Sequence, residues 1–438
     1  MKYKTIQLSH TQEIIQTYGV NSLMAKVIES KKIDQKQFKS FMDPHLIYHD
    51  FSLFEEADET LERIEEAIAN KEKICIYGDY DCDGILATTI LVQAFHERGV
   101  EVGYHIPNRF TDGYGLNTTR VEQMAEKGYS LIITVDNGIK AFDAVEKAGE
   151  LGIDVIITDH HAFDGEVPVA YSIIHTKMSP KYPFKEICGG FIAYKLAAAL
   201  LKHHDPYLFT LASITTISDM MPLLDENRSL VRRGLQFMKQ YKYPSLELLK
   251  GSRDYDATTI GFTIAPRINA FGRLPELVNP VYLVKYFLKE ADHAYLEKIS
   301  NYASKINSKR QSLTTSLYKE AVTDTSSPCL FYGSENMHEG LVGLVAGKYT
   351  REYEQPAFVM HYNPKEEIYK GSARGIDGFN IYNFFTHHED LFVQYGGHAK
   401  AGGFTITKSN YPLVYDALMN DIKAVSYTHL RAHETELH

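Results

Sequence analysis

A chain of 438 residues, 44% hydrophobic and 23% charged, has the make-up of an ordinary globular protein with room for two or three separately cored domains. No run of about 18 apolar residues appears and the first ten residues lack the apolar core of a secretory signal, so neither a membrane span nor a leader is expected. The net charge of −10 argues against a globally basic nucleic-acid binder; a polyanion would need a local basic surface, with part of the acidity taken up at metals.

Residues 1–60 read as helical and peripheral. Helical spacing then continues from Ala57 to Asn70, through Leu61, Ile64, Ala67 and Ile68. From 73 to 175, apolar β-rich runs at 74–77, 100–104, 131–135, 153–158 and 172–174 alternate with helical stretches such as 86–97 and 142–149. This alternation predicts an α/β fold with a mostly parallel sheet covered by helices, which binds ligands at the carboxyl ends of its strands. The four cysteines, Cys75, Cys82, Cys188 and Cys329, form no CxxC pair and no zinc spacing, which points to a reducing cytosol.

Those strand ends carry ligand-type residues. After 74–77 come Asp79, Asp81 and Asp83, which would share one face of an extended segment, with Gly78 and Gly84 allowing tight turns. Three like charges in five residues repel one another unless neutralised, and carboxylate oxygens suit Mg²⁺ or Mn²⁺. The run 131–135 leads straight into Asp136-Asn137-Gly138, and 153–158 leads into Asp159-His160-His161. A lone Asp after a strand is commonly a cap or turn residue. Clusters at three successive strand ends predict convergence on one site. An apolar helix at 208–220 then places Asp219 at its C-terminal end, where a carboxylate opposes the helix dipole and a bound cation would explain it.

The stretch 228–287 reads as mixed helix and loop. Within it GFTIAPRINAFGR, 261–273, offers Arg267, Asn269 and Arg273 as donors to a phosphate. Residues 298–319 hold Lys298, Lys305, Lys309, Arg310 and Lys319 and no acid, on helical spacing: a long basic strut, read either as a path for a polyanion or as a solvated face. After a polar break at 323–328 a second, smaller α/β unit is expected, with strands at 329–332, 357–361 and 368–372 and a helix after His338. The stretches GSARG at 371–375 and QYGGHAKAGGF at 394–404 set a hydroxyl, a guanidinium and an imidazole among glycines. They read as backbone that closely approaches a ligand, or else as a plain glycine-rich turn pair. Residues 426–438 match neither pattern and read as an appended, non-native tail, so His429, His433 and His438 are not counted as a metal cluster.

Asp81-Cys82-Asp83-Gly84, Asp136-Asn137-Gly138, Asp159-His160-His161, Asp219 and Gly396-Gly397-His398 together resemble the DHH phosphoesterase superfamily with its DHHA1 partner domain. GDYDCDG, IPNRFTDGYGL, APRINAFGRL, HEGLVGLVAGK and SARG, spread over residues 78 to 404, are similar in particular to its bacterial single-strand-specific exonucleases. The resemblance implies an N-terminal helical segment at 1–60, a DHH catalytic domain at 61–287, a connecting helix at 288–322 and a DHHA1 substrate-binding domain at 323–425. It implies two Mn²⁺ or Mg²⁺ ions: Asp81 and Asp136 would hold the first, and Asp83, Asp136, His160 and Asp219 the second, with Asp136 bridging. His161 would donate to the scissile phosphate. Ser372, Arg374 and His398 would grip phosphate, and Arg273 with Arg109 would hold a 5′-phosphate.

The implied reaction is two-metal phosphodiester hydrolysis of single-stranded DNA, 5′ to 3′, releasing 5′-mononucleotides in repair and recombination. A single-strand-binding protein and a helicase are the implied partners, and the cytoplasm the implied location. The rival readings are a phosphodiesterase for short oligonucleotides or cyclic dinucleotides, against which the basic helix counts, and a non-catalytic scaffold, against which the complete set of acids and histidines counts. Two positions depart from the pattern. Tyr77 stands where many relatives carry His, which implies a more weakly held first metal or one assisted by Asp79; Ala401-Gly402-Gly403 replaces the commoner Ala-Ala-Gly. Such proteins usually continue into an OB-fold that grips single strands, so a longer natural protein is expected.

Overall fold

The computed structural model describes residues 7–42, 45–163, 165–323 and 326–435, and of these the side chains as far as Lys423 other than at positions 35, 36, 39 and 40. The chain divides into two compact units, Met1–Ile268 with Pro280–Ser300, and Asn269–Asn279 with Asn301–His438.

In the first unit, strands β1 (Ile74–Tyr77), β2 (Gly103–His105), β3 (Leu131–Val135), β4 (Asp154–Thr158) and β5 (Ser172–Ile174) form a parallel sheet in the order β2-β1-β3-β4-β5. β1, β3 and β5 are buried along their whole length, as strands covered on both faces must be. The register pairs Tyr77 with Thr134, Val135 with Thr158, and Thr158 with Ile174. The segments that follow β1, β3 and β4 therefore leave the sheet at one edge. β2 begins later than the expected residue 100. The helix before it closes on Gly99, in the left-handed region at φ 72°, with Val100 N–H on the Phe95 carbonyl, so these residues are spent on a helix cap.

The N-terminal segment packs into this unit, where Glu226 accepts from His49 N–H at 3.1 Å and from the fully buried Lys195 at 2.7 Å. The expected mixture at 228–287 is a succession of helices, including a π-helical turn at Ile260–Ile264.

Helix His293–Ala321 is one unbroken element. In the second unit β6 (Leu330–Ser334), β7 (Ala357–Asn363), β8 (Ile368–Arg374), β9 (Gln394–His398) and β10 (Ala401–Thr407) form a mixed sheet in the order β6-β7-β8-β10-β9, with only β6 and β7 parallel. One face carries an aromatic core of Phe358, Phe384, Phe385 and Phe404. The glycine-rich stretch at 394–404 is not a loop pair but the hairpin β9–β10. Its glycines pair backbone to backbone, Gly402 with Gly397 and Gly403 with Gly396, and so hide the period-two pattern that Phe404 and Ile406 continue. The last helix runs Tyr411–Thr435; the expected tail at 426–438 falls on its final turns and beyond, past the described side chains. Among the described residues no helix is long and apolar enough to cross a membrane.

Candidate active site

The three aspartates after β1 do not alternate along an extended segment as expected. A helix begins at Cys82, and Asp81 is its N-cap, accepting from Asp83 N–H at 2.9 Å and Gly84 N–H at 3.1 Å. Capping wins over extension because it satisfies two backbone donors with one carboxylate. Asp83 then lies in the first helical turn, while Asp79 folds back on it: a Cβ at Gly84 would fall 2.6 Å from that of Asp79.

Asp83 is gripped from a second direction. Gly189 and Gly190, which open helix Gly189–Leu201, each donate a backbone N–H to its carboxylate at 2.8 Å. The positive end of a helix suits a carboxylate, and side chains there would collide: a Cβ at Gly189 would lie 2.5 Å from the Cβ of Asp136. The sequence reading missed this pair; its signal was two glycines at the start of an apolar helix.

Asp136 follows β3 in the left-handed region, φ 62°, a costly conformation for a residue with a side chain. Its backbone N–H bonds the Thr158 carbonyl, and the side chain of Asn137 donates to the carbonyls of Tyr77 (3.1 Å) and Val135 (2.9 Å), fixing the turn across two strands.

Asp159, named in the sequence only as part of the cluster after this strand and given no role of its own, organises the third strand end. Its Oδ1 accepts from the N–H groups of His160 (2.7 Å) and His161 (3.1 Å) and faces His161 Nδ1 at 2.7 Å; its Oδ2 accepts from Ile139 N–H at 3.0 Å. Its neighbour His160 turns the other way. There Nε2 lies 3.1 Å from Asp136 Oδ1, 3.6 Å from Asp219 Oδ2 and 3.8 Å from Asp83 Oδ2. Asp219 caps the C-terminus of helix Pro206–Ser218.

The predicted cluster thus comes together. Asp83, His160 and Asp219 offer ligand atoms within 4.8 Å of one another, as do Asp79, Asp81 and Asp136, and Asp136, His160 and His161. Burial, then mutual repulsion, raises the carboxyls: Asp83 to about 6, Asp79 and Asp219 to about 8, and Asp136 well above the usual range. Burial and the neighbouring His161 lower His160 to about 3, which leaves its lone pair available. Burial would lower His161 too, but Asp159 outweighs it and holds the imidazole protonated up to about 9.

Asp79 Oδ1, Asp136 Oδ1 and His160 Nε2 are buried without a hydrogen-bond partner. Each such orphan costs about 1–3 kcal/mol. Crowded carboxylates, a neutral imidazole and unpartnered ligand atoms fit hard divalent cations with oxygen and nitrogen ligands.

Tyr77 is not turned into a ligand position; its hydroxyl donates to the Gly115 carbonyl at 3.1 Å. Arg109 lies over the Tyr80 ring at 4.1 Å, and the Arg267 guanidinium is bonded to the Leu249 carbonyl.

In the second unit, Ser372 and Arg374 share one face of β8, and Arg374 Nη1 donates to Ser372 Oγ at 2.7 Å. Arg374 pairs with Ala401, which pairs with His398, so His398 is presented on the same face two strands away. Between them Gly396 and Gly403 leave the sheet bare; a Cβ on Gly396 would meet nothing within 4 Å. Helix Val342–Tyr353 lies over this face, where a Cβ at Gly343 would come 3.0 Å from Arg374 Nη2. Arg273 Nη1 reaches the Gly340 carbonyl at 3.4 Å.

Two family models match the chain, the N-terminal domain of the DHH family over residues 73–218 and the DHHA1 domain over 326–424. Fold and site together define a DHH protein with a DHHA1 domain. The single-stranded-DNA-specific exonuclease RecJ of Bacillus subtilis is 37% identical over 365 residues, 81% of this chain and 46% of that relative. RecJ of Dickeya dadantii is 31% identical over 399 residues, 83% of this chain and 68% of that one. A crystal structure of RecJ from Thermus thermophilus in complex with Mn²⁺ superposes with a TM-score of 0.81 at 26% identity, covering 96% of this chain and 62% of that chain. The chain belongs to the RecJ family. It spans about half the length of the Bacillus relative.

Proposed function

We propose that this chain is a metal-dependent exonuclease that hydrolyses single-stranded DNA from its 5′ end and releases 5′-mononucleotides. The observation that carries the reading is the convergence of Asp83, His160 and Asp219, from three separate parts of the chain, within 4.8 Å. In this assignment Asp81 and Asp136, assisted by Asp79, hold one cation, and Asp83, Asp136, His160 and Asp219 hold a second. Mn²⁺ or Mg²⁺, when bound, neutralises the carboxylates, activates water and stabilises charge on the phosphate oxygens.

The chain's own residues do the rest. His161, kept protonated by Asp159, donates to an oxygen of the scissile phosphate. Arg109 in the first unit and Arg273 in the second are each proposed as donors to a 5′-phosphate, and Ser372, Arg374 and His398 grip a phosphate of the strand; charge-assisted donors of this kind give both affinity and position.

The connecting helix favours a long strand over a dinucleotide. Lys298, Lys305, Lys309 and Lys319 lie on its exposed side, opposite the buried Ile299, Ala303, Ile306 and Leu317. A row of cations without acids suits a phosphate backbone. An enzyme that consumes single strands needs strand separation upstream, so a helicase and a single-strand-binding protein are the fitting partners. The four cysteines are buried and none is in a disulfide, in keeping with a reducing cytoplasm.

The test is product analysis on single strands labelled at either end, with Mn²⁺ and with Mg²⁺. A 5′-labelled strand should yield labelled mononucleotide at once, and a 3′-labelled strand a shortening ladder. Removal from the 3′ end, internal cuts or no turnover would overturn the reading.

A further inference from the structure

The loop at 107–117 is held by two braces. Asp112 anchors its first half: Oδ2 accepts from Asn108 N–H at 2.9 Å, and Oδ1 accepts from Arg120 at 2.8 Å. Tyr77, fully buried at the end of β1, anchors the second half through its hydroxyl, which donates to the Gly115 carbonyl at 3.1 Å. Gly113 and Gly115 both lie in the left-handed region, φ 77° and 73°, so Tyr114 stands between two bends that only glycine adopts easily. Those bends bring the half-exposed Tyr114 ring back over the strand ends. There its hydroxyl donates to the Asp136 carbonyl at 3.3 Å and lies 3.2 Å from both ring nitrogens of His161. Asn137 closes the circuit by donating to the Tyr77 carbonyl at 3.1 Å.

We propose that Tyr77 is a positioning residue: by holding Gly115 it sets where Tyr114 stands, and through Tyr114 how the His161 ring is presented to the reacting phosphate. The proposal deepens the hydrolysis reading above and rests on it. It also accounts for a tyrosine at the end of β1, since an aromatic ring long enough to reach Gly115 through the core is what this position requires.

Tyr77→Phe fills the same space and removes one hydrogen bond. In the metal-free protein, amide hydrogen exchange at 113–116 should accelerate about tenfold while β3 and β4 keep their rates. On a 5′-phosphorylated strand with Mn²⁺, kcat should fall about tenfold, with KM and Mn²⁺ affinity unchanged, on the scale that geometric misplacement costs. Tyr114→Phe should give a similar loss. The double variant should lose no more than Tyr114→Phe alone, because the one residue acts through the other. Unchanged loop exchange in Tyr77→Phe, unchanged kcat, or losses that multiply in the double variant would each overturn the proposal. If the unaltered protein shows no nuclease turnover, the hydrolysis reading fails on its own, and the exchange comparison still decides whether Tyr77 holds the loop.

Discussion

The backbone N–H of Gly190 points at Oδ1 of Asp83 from 2.8 Å, so a ligand-type carboxylate on one helix is held by the first turn of another. That contact makes the acid cluster a property of the packing of two helices against the sheet edge, and not of the aspartate-rich stretch alone. Gly190→Ala should therefore disable the site from outside it. Its Cβ would lie 2.8 Å from Asp83 Oδ1 and 2.5 Å from Thr215, so the helix must shift. A destabilisation of about 1–3 kcal/mol is expected. Turnover should fall on the order of 100-fold, since displacements near 1 Å cost that much. Chemical denaturation and steady-state kinetics on the purified variant check both.

Stability without metal should fall as pH rises. Asp83 is raised to about 6 and Asp219 and Asp79 to about 8, against about 4 in the unfolded chain. Between pH 4 and 8 the native state thus holds protons that the unfolded chain has released, so the stabilisation present at low pH is lost across that window. Cations that replace those protons should flatten the slope. Thermal melts in EDTA and in Mn²⁺ from pH 5 to 8 test this; in EDTA, Tm should drop toward pH 8, and Mn²⁺ should raise Tm most at the alkaline end.

The second unit should contribute binding more than chemistry. Arg374→Ala and His398→Ala are expected to raise KM for a strand at least tenfold, through loss of charge-assisted contacts each worth about 1.5–3 kcal/mol. kcat should change less, because neither residue belongs to the acid cluster. Steady-state kinetics on both variants give the split.

Charge reversal on the connecting helix should change the salt dependence of binding. Each phosphate contact to a single strand contributes about 0.7 to the slope of log K against log salt. Lys305→Glu with Lys309→Glu should reduce that slope by about 1.4. Fluorescence anisotropy with a labelled oligonucleotide, in EDTA to prevent cleavage, measures it.

Much of this was legible in the sequence because strand ends are local features. The runs at 74–77, 131–135 and 172–174 are strands with those bounds, since a strand covered on both faces must be apolar throughout. Asp136, His160 and Asp219 lie at the element ends where they were expected. The reading erred where one local preference defeated another. Asp81 capped a helix instead of continuing a strand, and paired glycines made β9–β10 look like loop. The holding role of Asp159, and Gly189 and Gly190 altogether, escaped notice because their part is to hydrogen-bond other site residues, and Asp83 and Gly190 are separated by 107 positions in the chain. No periodicity encodes such a pairing.

The central claim is that Asp81, Asp83, Asp136, His160 and Asp219 share a pair of cations, and anomalous scattering from Mn²⁺-soaked crystals tests it most directly. Two peaks are expected, one beside Asp81 and Asp136 and one among Asp83, Asp136, His160 and Asp219, each at about 2.0–2.3 Å from its ligand oxygens or nitrogen. A cluster that stays without a peak at Mn²⁺ concentrations that support turnover, or peaks bound by other residues, would contradict the account.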